Sequence, residues 1–97
     1  MIFDLREPNE IEDHPYGIPG ALPTTDANLR TLVPWIPPGT VVVLYATANT
    51  PVHDAFLHLR SRKVKFYAVE GGIRSWQEAG LRTEHLVLGD RRSVDNK

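Results

Sequence analysis

Apolar residues in this chain come in short bursts separated by turn-forming residues, and the most continuous burst lies near the middle. Val41-Val42-Val43-Leu44-Tyr45 is unbroken and rich in β-branching, the pattern of a strand buried on both faces of a parallel sheet. Thr50 then reads as a helix N-cap with Pro51 at the first helical position, where a missing N–H costs nothing. Val52, Ala55, Phe56 and Leu59 follow at i, i+3, i+4 and i+7, which gives a helix with one apolar face. A buried strand, a short loop and a helix N-terminus together predict a crevice at the carboxyl end of the strand. Open α/β sheets bind ligands there, with backbone N–H groups pointing at them.

The flanking segments repeat the alternation. Met1 to Arg6 predicts a short strand that Pro8 stops. Residues 9–16 have room for one helical turn before Pro15, and a brief extended piece is expected around Ala21 and Leu22. Thr25 or Asp26 starts a short helix through Leu29, Leu32 and Val33, closed by Pro34 and by Pro37-Pro38-Gly39. Val64 to Val69 predicts another strand, and Glu70-Gly71-Gly72 a tight turn with positive φ. A helix follows from Ile73 to Ala79, with Ile73 and Trp76 inward and Gly80 at its C-cap. Trp35, like Trp76, reads as a packing residue. Strand and helix in alternation mean an α/β fold with a mostly parallel sheet and right-handed crossovers.

Composition narrows the function more than the fold. The 97 residues make one domain, with 41% hydrophobic and 24% charged residues, as in an ordinary globular chain. A net charge of −1 argues against holding nucleic acid by bulk electrostatics. No apolar run approaches the roughly 20 residues of a membrane span, and the N-terminus has no signal-peptide pattern, so a cytoplasmic location is expected. With no cysteine at all, the chain has no thiolate nucleophile, disulfide or cysteine metal site. His14, His53, His58 and His85 follow no metal-ligand spacing, and no metal is expected. His53 reads as an exposed residue of a first helical turn; Asp54 beside it points about 100° away.

Four segments carry a resemblance to a known family. Ile2-Phe3-Asp4-Leu5-Arg6-Glu7-Pro8, Ile18-Pro19-Gly20-Ala21, the strand ending in Leu44-Tyr45, and Glu70-Gly71-Gly72-Ile73-x-x-Trp76-x-x-Ala79-Gly80 resemble the rhodanese-like domains, in family order over residues 2–84. The resemblance implies an open parallel β-sheet flanked by helices, truncated here at the family's N-terminal strand and helix. Residues 1–84 would form the rhodanese-like domain. Residues 85–97 would be a C-terminal extension, with a strand at 85–88 and then a polar tail. Truncation would leave the strand at 64–69 as an unpaired edge open to dimer formation. The 85–88 strand is expected to cover it, in its own chain or in a partner's.

Active members of that family carry a cysteine directly after the strand, at the position of Ala46, which accepts sulfur as a persulfide and passes it on. Their loop cradles an anionic donor with backbone N–H groups, usually helped by an arginine. Here Ala46 offers a methyl group, and no lysine or arginine occurs between residues 31 and 59. The resemblance places the crevice at Thr47, Ala48, Asn49, Thr50, Val52 and His53, with Asp4 and Arg6 as structural residues near it. The expected function is a catalytically inactive domain used in recognition or regulation. The alternative is a thiosulfate sulfurtransferase or persulfide carrier whose cysteine has been replaced at position 46. Absence of the loop arginine as well favours the natural inactive domain. Expected partners are a protein or fused domain, a small anion in the crevice loop, and a second copy of the chain. No cofactor or nucleic acid is expected.

Overall fold

The computed structural model describes residues 1–47, 49–60 and 64–86. Along the chain run β1 (Ile2–Asp4), α1 (Pro8–Asp13), β2 (Tyr16–Gly17), β3 (Ala21–Pro23), α2 (Asp26–Leu32), a 3-10 turn (Val33–Trp35), β4 (Val41–Tyr45), α3 (Asn49–Leu59), β5 (Lys65–Ala68), α4 (Gly72–Glu78) and β6 (Glu84–His85). Four of the strands form one parallel sheet in the order β3-β1-β4-β5. Phe3 lies opposite both Leu22 and Leu44, and Val42 lies opposite Phe66. The apolar run of the sequence is therefore an interior strand, as expected.

The core forms where helix faces meet that sheet. Phe3, Val42 and Leu44 from the strands are buried with Leu29 of α2, Val33 and Ile36 of the following turn, and Ala55 and Leu59 of α3. Local chemistry sets the boundaries. Pro8 occupies the first turn of α1, where Glu10 accepts a hydrogen bond from the Glu7 backbone N–H at 2.9 Å; this closes a capping box. Thr25 caps α2 by accepting from Asn28 N at 3.3 Å. Helix α3 begins at Asn49, so Thr50 lies inside the first turn instead of capping it. Pro51 is tolerated there because first-turn N–H groups have no intrahelical acceptor.

Two further expectations need correction. Trp35 is 81% exposed: it ends a short 3-10 turn just ahead of the Pro37-Pro38-Gly39 stop and packs in no core. Trp76, by contrast, is half-buried, and it also donates from its indole Nε1 to the Arg82 carbonyl at 2.7 Å, so it ties down the chain after α4. Among the described residues, the C-terminal piece does not pair with β5 of its own chain. Of the expected 85–88 piece, residues 87 and 88 lie outside the described residues, and β6 pairs antiparallel with β2. Leu86 N donates to the Pro15 carbonyl at 2.7 Å, and the Leu86 side chain is buried. His85 meets the Tyr16 ring edge-on at 5.4 Å. A buried place for Leu86 and an aromatic partner for His85 exist beside β2.

Candidate functional site

The carboxyl ends of β1 and β4 lie side by side, and the chemistry of the site begins there. Asp4 ends β1, and Arg6 turns back onto it. Arg6 Nη2 meets Asp4 Oδ2 at 2.7 Å, and Nε meets Oδ1 at 3.0 Å. The Arg6 backbone N–H also donates to Oδ1 at 3.0 Å. Both side chains are essentially inaccessible. Burial works against the guanidinium charge, but the hydrogen bond and charge of Asp4 outweigh it, and the Arg6 pKa is raised above its ordinary value. The remaining fork reaches outward: Nη1 donates to the His14 carbonyl at 2.9 Å and Nη2 to the Tyr16 carbonyl at 3.2 Å. One guanidinium thus fastens the loop between α1 and β2 to the sheet.

Tyr45, the last residue of β4, completes the cluster. Its hydroxyl accepts from Ile18 N at 3.2 Å, and its ring lies 6.0 Å from the Arg6 guanidinium carbon. Burial is the main reason that its pKa is raised, with the negative charge of Asp4 adding to the effect. The phenol therefore stays neutral and serves as a buried strut.

Ala46 follows directly and is 4% exposed. Its position is fixed from the far side by α4. Gly71 and Gly72 have φ of 79° and 63°, so the expectation of a positive-φ turn holds. A Cβ on Gly72 would strike the Ala46 carbonyl oxygen. The Gly72 N–H donates to the Val69 carbonyl at 2.9 Å. The Gly-Gly turn thus lets α4 press its first residue against the backbone at Ala46.

The structure distributes the rest of the expected crevice unevenly. Thr47 is exposed at the mouth, Ala48 lies outside the described residues, and Asn49 and Thr50 open α3. Val52 packs against the core, and His53 is exposed. A cavity of about 400 Å³ opens beside Thr47. Its walls carry Arg6, Glu10, Asp13, His14 and Arg74. Arg74 supplies positive charge that the 46–53 loop itself lacks, whereas the Arg6 charge is already paired with Asp4, and Glu10 and Asp13 line the same cavity with the opposite sign. Glu10, His14 and Arg74 were not singled out from the sequence. The one signal available was α4 periodicity, which puts Ile73 and Gln77 of this wall on one face, four residues apart.

The chemistry open to this arrangement is limited. A methyl group stands at position 46. No hydrogen bond links Thr47 to His14, Glu10 or Asp13 among the described residues, and a threonine nucleophile needs an adjacent base. The site can bind; it holds no activated nucleophile among the described residues.

Comparison with known proteins agrees with the fold. No protein-family model matches the chain, and no curated protein matches it. Solved structures do. A rhodanese-like domain from Anabaena superposes with a TM-score of 0.73 at 22% identity, covering 87% of this chain and 97% of that one. A rhodanese-related protein from Thermoplasma volcanium gives a TM-score of 0.72 at 23% identity, over 87% and 82% of the two chains. A probable thiosulfate sulfurtransferase gives 0.69 at 27% identity, over 86% of this chain and 42% of that one.

Proposed function

We propose that this chain, a rhodanese-like domain without a cysteine, works by recognition and not by sulfur transfer. The observation that carries the reading is the buried methyl of Ala46 at the carboxyl end of β4. That is the position at which the resemblance places the sulfur-accepting thiolate. A methyl group has no lone pair to attack sulfur and no proton to lose, and no other thiol exists in the chain. What surrounds Ala46 is kept: the Asp4–Arg6 pair, the Tyr45 strut and the Gly71-Gly72 turn. The cavity beside Thr47 then serves as a binding mouth. Its mixed lining of Arg74 against Glu10 and Asp13, with Arg6 already paired to Asp4, suits a protein segment carrying both charge signs better than a bare anion.

A second reading has its own support. Likeness to a probable thiosulfate sulfurtransferase at 27% identity favours an enzyme whose cysteine at position 46 has been replaced. Thiocyanate formation from thiosulfate and cyanide separates the two, measured on the wild-type chain and on Ala46→Cys. The recognition reading expects both to stay at the blank, since the loop also lacks its arginine. Product from Ala46→Cys alone would favour the replaced-cysteine reading. Product from the wild-type chain would overturn both.

A further inference from the structure

The β2–β6 ladder aims the chain at the cavity beside Thr47. Tyr16 lies opposite His85 and Gly17 opposite Glu84 in antiparallel register, and the Leu86 N–H donates to the Pro15 carbonyl at 2.7 Å. Antiparallel partners run in opposite directions, so a chain that holds its course past Leu86 meets His14 next and then Asp13. Pro15, His14 and Asp13 all line the cavity. Leu86 is itself anchored, since its side chain is buried in the space that a Cβ on Gly17 would need. The last described residue therefore stands at the cavity rim. The cavity is short of positive charge. Arg6 is paired with Asp4, which leaves Arg74 against the carboxylates of Glu10 and Asp13. Among the described residues no ion pair engages Glu10, Asp13 or Arg74. Residues 87–97 lie outside the described residues, and their charges are the complement: Arg91, Arg92 and Lys97 against Asp90 and Asp95.

We infer that residues 87–97 of this chain are the segment that occupies the cavity, with Arg91 and Arg92 set against Glu10 and Asp13. This rests on the recognition reading and gives its binding mouth an occupant. Reach allows it. Arg91 is the fifth residue after Leu86, and five extended residues span at most about 17 Å. That is enough to enter a cavity of about 400 Å³ whose wall includes Pro15, the partner of Leu86. Exposed ion pairs are individually weak, but tethering offsets the weakness. A short link holds the arginines beside the cavity at an effective concentration on the order of millimolar, so a contact of only millimolar strength is substantially occupied. A separate protein segment has no tether and must displace the one already there. Its apparent affinity falls with the fraction of chains whose cavity is empty. Residues 87–97 thereby set the threshold for any outside partner.

The test uses the full chain, which has no cysteine of its own, with a nitroxide on Ser93→Cys and amide NMR of the folded protein. The label should broaden the Arg74 and Gln77 amides. Leu57, exposed on α3, is the control and should stay sharp. Arg91→Glu with Arg92→Glu should cut the broadening at least twofold. Asp13→Lys should do the same from the cavity side, and the carboxyl end of α1 accepts a cation there. Sharp Arg74 and Gln77 amides would overturn the inference. So would broadening that survives either charge reversal, because tethering alone would then account for it. The readout uses no sulfur chemistry, so its failure is distinct from the sulfur transfer that would overturn the recognition reading.

Discussion

Tyr45 shows how closely the residues around Ala46 are matched to one another. Its hydroxyl accepts from Ile18 N at 3.2 Å in a fully buried place. Tyr45→Phe would leave that N–H without an acceptor, at a cost of about 1–3 kcal/mol, read by denaturant unfolding. The pKa of the folded-state phenol is raised by burial and by Asp4. The unfolded chain therefore loses this proton first, from about pH 10 upward. The stability contributed by the neutral phenol is complete below that pH and is lost as pH rises toward the folded-state pKa. The wild-type chain should lose stability above about pH 10 with an extra slope of up to about 1.4 kcal/mol per pH unit. Tyr45→Phe should lack that extra slope, and equal slopes would contradict the assignment. At this scale the sequence was partly legible. An Asp-x-Arg at a strand end marked an ion pair, but nothing in Leu44-Tyr45 revealed that the phenol would reach across to Ile18. Trp35 misled because an aromatic between prolines reads as core until its turn is seen to face solvent.

At the scale of elements, the Gly71-Gly72 turn does the work of placing α4. Both residues have positive φ, and Gly72 leaves room for the Ala46 carbonyl. Gly72→Ala would combine a left-handed backbone penalty of about 1–2 kcal/mol with a backbone overlap. Its melting temperature should fall by roughly 10 °C or more, whereas Gly80→Ala, whose Cβ meets nothing nearby, should lose only the conformational part. A comparable loss in the two variants would refute the close approach. Elements with strong periodicity were read from the sequence to within a residue or two, since β4 and α3 are fixed by runs of apolar positions that hold in any context. The β2–β6 ladder was not. Two-residue strands have no period, and this one exists because Leu86 and His85 find partners near Pro15 and Tyr16.

For the molecule as a whole, the parallel sheet was legible, and the lining of the cavity beside Thr47 was not. The cavity joins residues of α1, the following loop, the end of β4 and α4, and sequence spacing cannot say which of these distant segments converge. The loop looked poor in positive charge when read alone, yet Arg74 reaches the cavity from α4. The Asp4–Arg6 pair, the Tyr45 hydroxyl and the Gly72 contact all support the backbone, and none of them needs a thiol. The most direct check is whether the wild-type chain takes up sulfur at all. Incubation with radiosulfur-labelled thiosulfate, followed by gel filtration, should leave no label on the protein that cyanide can release. Protein-bound sulfur that cyanide displaces would contradict the account, because a group other than residue 46 would then be carrying it.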